Sequence, residues 1–129
     1  MNDKKPVVYD LDILRPAPQY VLLANKKIDI SFIPSGLAID IMEMRQQLET
    51  LADTPDKINK IREGGKEALD TFEITAGICS MITQNQHEEM TKEWLLKNTN
   101  IVQLKKLIEY ITNAVFKSLE SAEDSLGKN

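Results

Sequence analysis

Cysteine, histidine and tryptophan each occur once in these 129 residues, and each scarcity removes a class of chemistry. A lone Cys79 permits neither an intrachain disulfide nor a thiolate metal cluster, so a reducing compartment is the simpler expectation. The only histidine sits in His87-Glu88-Glu89, which lacks the second histidine of a zinc-hydrolase helix, and it reads as a solvated loop residue. A glycine-rich phosphate fingerprint is absent too, because Gly64-Gly65 follows no strand. Basic residues are not clustered: sixteen Lys and Arg stand against twenty Asp and Glu, for a net charge of −4. Lys57, Lys60, Arg62 and Lys66 are interleaved with Asp56, Glu63 and Glu67, the pattern of a solvated helix face rather than a phosphate-binding surface, so no nucleic-acid partner is expected. Long apolar runs are missing as well. Asp10 and Asp12 interrupt the first segment, and no stretch approaches the ~20 residues that span a bilayer. The expectation is a soluble, cytoplasmic protein without a membrane partner.

What the chain does contain is enough apolar residue, 42%, for one modest core. Its most informative stretch runs from Tyr20 to Leu51. Two short strand-like runs, Tyr20 to Leu23 and Ile28 to Phe32, read as a hairpin turning at Asn25-Lys26, in a register that opposes Leu23 to Ile28 and Val21 to Ile30. One face is then apolar, while Asp29 and Ser31 point away. Pro34-Ser35-Gly36 stops the strand, with Ser35 placed to cap a helix from about Leu37 to Ala52. Leu37, Ile41, Met44, Leu48 and Leu51 advance by four, three, four and three, a single stripe at 3.6 residues per turn.

Before this module, Tyr9, Leu11 and Ile13 alternate with Asp10 and Asp12, the period of a half-exposed strand or extended arm over residues 1–14. Arg15-Pro16-Ala17-Pro18 ends it as a stiff connector. After the module, Thr54 and Pro55 open a second helix, whose stripe is Ile58, Ile61, Ala68, Leu69, Phe72, Ala76, Cys79 and Ile82. Gly64-Gly65 breaks or kinks it, giving pieces of 55–63 and 66–83. A polar connector, 84–90, leads to a short helical turn from Thr91 with Trp94, Leu95 and Leu96. Asn100 and Gln103 form a capping box for a last helix striped by Ile101, Leu104, Ile108, Ile111, Val115 and Leu119. The fold class is α+β and mostly α: an N-terminal hairpin, with an arm or third strand before it, and a bundle of about four helices. Residues 15–121 form one mainly helical domain with the hairpin at 20–33, and 122–129 a disordered tail.

Candidates for catalysis each have a plainer explanation. Asp10 with Asp12 and Glu88 with Glu89 lie in polar text that offers no shielded pocket for acid-base work. Cys79 lies on an apolar stripe, where a buried small hydrophobe fits better than a nucleophile. The expectation is therefore no enzyme, no cofactor and no metal. Apolar surplus is the remaining signal: Ile39 and Met42 lie off the main stripe of the first long helix, and Met81 and Met90 offer adaptable surface near the connector. Trp94, with Leu95, suits either a core or an interface anchor. Ile39, Met42, Trp94 and Leu95 are the candidate protein-binding residues.

The segment YDLDILRPAPQYVLLANKKIDISFIPSGLAIDI resembles the front half of the small tail assembly chaperones of long-tailed bacteriophages and related prophages, and MTKEWLLKNTNIVQLKKLIEYI resembles their usual ending. The likeness runs from Tyr9 to Leu119 and is one of layout, without a catalytic or ligand motif. It implies a helper in the host cell cytoplasm that coats the tape measure protein and recruits tail tube subunits. It also implies a mostly helical, acidic, oligomeric protein, often made in a longer frameshifted form as well. The homo-oligomer would be joined through the arm or the hairpin edge. The alternative from the structural class is a minor tail or head-tail joining protein that stays in the virion.

Overall fold

The structure, a computed structural model, describes the backbone of residues 5–127 and the side chains of residues 5–117 and Glu120. An antiparallel hairpin, β1 (Tyr20–Leu23) and β2 (Lys26–Asp29), precedes five helices: α1 (Ser35–Leu51), α2 (Pro55–Glu63), α3 (Lys66–Gln86), α4 (Lys92–Asn98) and α5 (Ile101–Gly127). The mostly α architecture with an N-terminal hairpin is as the sequence pattern predicts.

The hairpin register differs from the predicted one by two residues. Val21 pairs with Ile28 and Leu23 with Lys26, so the loop is Ala24-Asn25, both with positive φ (48° and 64°). A two-residue loop with both φ values positive matches the right-handed twist of the strands, and Asn25 tolerates that region better than Lys26 would. Because the shift is even, the faces survive. Leu23, Ile28 and Ile30 are buried while Tyr20 and Leu22 point outward.

Helix starts follow their caps. Thr54 Oγ1 accepts from the Lys57 N–H and Thr91 Oγ1 from the Trp94 N–H. Asn100 Oδ1 accepts from the Gln103 N–H while Gln103 Oε1 accepts from the Asn100 N–H, both at 2.9 Å, so the capping box is closed in both directions. Ser35 is already helical, however, and the α1 cap position falls to Pro34, which gives no side-chain bond. Gly64 (φ 88°) and Gly65 (φ 78°) break the chain between α2 and α3, where a side chain would be strained.

The central helix is α3, which touches α1, α2, α4, α5 and β2. Its buried line is Thr71, Thr75, Ala76, Ile78, Cys79, Ile82 and Thr83, whereas Leu69 and Phe72, expected on the stripe, are exposed. The threonines can be interior because their hydroxyls are satisfied: Thr71 donates to the Glu67 carbonyl, Thr75 to that of Thr71 and Thr83 to that of Met90. At Gly77 a Cβ would stand 3.2 Å from Met44 Cε, so its bare backbone lets α1 lie close. The α3 helix also outruns its predicted end at Thr83 by three residues. Met90 is fully buried rather than a surface methionine, and Met81 packs partly buried against the same core.

Two terminal expectations change. Residues Leu11–Leu14 form one 3-10 turn, capped by the Asp10 carboxylate on the Asp12 N–H at 3.0 Å, in place of a strand. The turn wins locally because an aspartate can satisfy a nearby N–H where no neighbouring strand does. Residues 1–4 of the expected arm lie outside the described residues. At the other end α5 is helical to Gly127, so 122–127 do not form the expected unstructured tail, and 128–129 and the Leu119 side chain lie outside the description.

Candidate protein-docking surface

The titratable groups are occupied structurally. Burial pushes the Cys79 thiol up to about 12, and its Sγ donates to the Leu104 carbonyl at 3.3 Å, which leaves no thiolate at neutral pH. His87 is half-buried, with Nε2 2.7 Å from the Lys27 carbonyl, so this ring nitrogen carries the proton and donates; it is not the free loop residue the sequence suggests. Burial raises the Asp29 carboxyl, but the Ser31 hydroxyl and N–H, the Gln19 backbone and Arg15 together outweigh it and hold the group below its ordinary range. A hydrogen bond from Lys26 likewise lowers Glu89, in an exposed ion pair. Among the described residues no three His, Cys, Asp or Glu side chains are grouped to hold a metal ion, and no helix is long and apolar enough to cross a membrane.

An apolar groove of about 620 Å³ runs instead along α1. Ile33, Ala38, Ile39, Met42 and Val115 form its floor, and Glu43, Arg45, Gln46 and Glu49 its polar rim, with Arg45 and Glu49 paired at 3.4 Å. The helical spacing explains it: Ile41 faces inward and is fully buried, which turns Ile39 and Met42 to the flank. Ile39 is 60% exposed although it is a large aliphatic side chain.

The four predicted protein-binding residues thus separate into two pairs. Ile39 and Met42 share the groove. Trp94 is half-buried against the core on α4, away from it, and Leu95 is completely buried, so neither lines this surface and Leu95 is a packing residue. Ile33, Ala38 and Val115 were not singled out as groove residues; Val115 is buried on the α5 stripe as expected, and no spacing rule shows that a buried stripe position also lines a groove.

A second apolar feature is the N-terminal segment. Val7, Val8, Tyr9, Leu11, Ile13 and Leu14 are each at least 73% exposed. Arg15, whose guanidinium lies 4.0 Å above the Phe32 ring, ties the segment's end to the body of the protein. Exposed apolar side chains contiguous in this way mark interaction surfaces.

Comparison of the chain with protein-family models, with curated proteins and with solved structures finds no match in any of the three.

Proposed function

We propose that this protein is an assembly chaperone of the long-tailed phage kind, which holds the tape measure protein and recruits tail tube subunits. The observation that carries the reading is the groove beside Ile39 and Met42: an open apolar trough on one helix, rimmed by charges of both signs, suits an amphipathic partner helix in the helix-in-groove mode. Tape measure proteins are long and helical, so they offer many such faces, and the resemblance over Tyr9 to Leu119 supports the same partner. The chaperone itself needs no catalytic group. Half-buried Met42 adds an adaptable wall, useful where successive partner faces differ.

Co-expression with a tagged tape measure protein tests the proposal. Wild type should co-purify with it, and Ile39→Asp with Met42→Asp should not. Failure of wild type to co-purify, or retention of the double variant, overturns the reading.

The exposed N-terminal segment favours a second reading, a minor tail or head-tail joining protein whose arm inserts into a ring neighbour. Mass spectrometry of purified particles separates the two. A chaperone is absent from the virion, and a joining protein is present.

A further inference from the structure

The two edges of the hairpin are treated differently. In the antiparallel ladder Val21 with Ile28 and Leu23 with Lys26 bond to each other, which turns the backbone groups of Lys27 and Asp29 outward on one side and those of Tyr20 and Leu22 outward on the other. The β2 edge is covered at three of its four outward groups by the end of α3. Gln86 Oε1 accepts from the Asp29 N–H at 2.7 Å and Gln86 Nε2 donates to the Asp29 carbonyl at 2.9 Å, a side-chain amide standing in for a neighbouring strand, and His87 covers the Lys27 carbonyl. The β1 edge has no such cover: among the described residues nothing hydrogen-bonds the outward groups of Tyr20 and Leu22. Beside it an apolar groove of about 320 Å³ runs between β1 and α5, lined by Val21, Leu22, Val102, Lys106, Leu107 and Tyr110. Leu22 is 70% exposed there and Val102 72%.

We propose that this open edge takes the N-terminal segment of a second copy of the chain as a third strand, with residues 9–13 of one copy pairing with β1 of the other. Four observations select this occupant. The segment has the period of a strand, Tyr9, Leu11 and Ile13 against Asp10 and Asp12, yet lies unpaired and exposed. Its five residues span about 17 Å when extended, enough to cover the four-residue β1. With the apolar side chains turned to the groove, Asp10 and Asp12 face the exposed, polar side of the hairpin, which carries Lys27 and Asp29, so both stay in water.

The fourth observation decides between the chain's own arm and a neighbour's. Gln19 accepts from the Ile30 N–H at 2.8 Å and Arg15 stacks on Phe32, with Pro16 and Pro18 between them, so the connector runs on alongside the continuation of β2. A stiff connector on that course carries the arm away from its own β1 edge. Pairing requires the Leu11–Leu14 turn to open. It gives up the bond from the Asp12 N–H to Asp10 and that from the Arg15 N–H to the Asp12 carbonyl at 3.1 Å, and ladder bonds replace them. A third strand also relieves the weakness of a hairpin that has only two.

This association is independent of the tape measure reading, since it uses neither Ile39 nor Met42. Its test is the solution mass of the full chain by light scattering during size-exclusion chromatography. Wild type should run as a multiple of 14.6 kDa, while Leu11→Asp with Ile13→Asp should fall to 14.6 kDa with unchanged helical circular dichroism. Leu22→Pro removes an outward N–H without touching the hairpin's own bonds and should also give a monomer; mixed with the arm variant, it should form pairs of one of each, because one chain keeps its arm and the other its edge. A wild-type mass of 14.6 kDa, or an arm variant that keeps the wild-type mass, overturns the proposal. If Leu22→Pro does not fold, the arm variant decides alone, because its side chains are exposed.

Discussion

Asp29 has an unusual density of partners for a half-buried carboxylate: it accepts from both the Ser31 hydroxyl, at 2.6 Å, and the Ser31 N–H, at 2.8 Å. Its depressed pKa means the folded protein binds that proton less readily than the unfolded chain does. Unfolding then takes up a proton, so stability rises with pH through this window. The contribution is complete above the ordinary value of 3.8 and is lost as the pH falls below it towards the lowered folded value. Denaturant unfolding between neutral pH and the acid range should show a smaller acid loss for Asp29→Asn than for wild type. Cys79 makes the opposite case, a thiol kept neutral by burial; a disulfide reagent should leave it untouched in the folded protein and modify it fully once the chain is unfolded. Thr112 carries the one buried side-chain oxygen without a hydrogen-bond partner among the described residues. Thr112→Val keeps the shape and removes the orphaned hydroxyl, and should stabilise by about 1 kcal/mol in thermal or denaturant unfolding.

At the scale of elements, the boundaries that hold are those with a mechanism on both sides. The Asn100 and Gln103 capping box fixes the start of α5, and Asn100→Ala should cost about 1 kcal/mol. Gly65 is needed for its positive φ, so Gly65→Ala should cost about 1–2 kcal/mol although a Cβ there meets no neighbour. The caps at Thr54 and Asn100, the glycine break and the α1 stripe were legible in the sequence because each rests on residues within one or two turns; the expected Ser35 cap was not borne out. The α3 stripe was legible only in its second half, where Ala76, Cys79 and Ile82 are buried as expected. Apolar periodicity led to Leu69 and Phe72, whereas the buried face is lined with threonines whose polarity is cancelled by carbonyls four residues back or across a loop. The hairpin register was missed for a related reason: Ala24 gives no sign that it will adopt positive φ, and only the chosen two-residue loop imposes it. The cover of β2 by Gln86 and His87 joins residues nearly sixty positions apart, beyond the reach of any local pattern.

At the scale of the whole molecule, the described residues leave an apolar groove on α1, which we propose holds another protein, and an open β1 edge, proposed for a second copy. Two of the four residues expected to bind protein, Ile39 and Met42, line the groove. Ile39 and Met42 could be found because they fall off a stripe that is otherwise regular; Leu95 could not be told from a surface anchor, because a seven-residue helix is too short to show which of Trp94, Leu95 and Leu96 faces inward. The central claim is that the α1 groove binds an amphipathic helix of the tape measure protein. Isothermal calorimetry of that protein against wild type and against Ile39→Asp with Met42→Asp tests it most directly, with melting temperatures measured alongside. The account predicts affinity weakened by about thirtyfold or more, the loss of one buried anchor, at a nearly unchanged melting temperature. Equal affinity for the two proteins would contradict it.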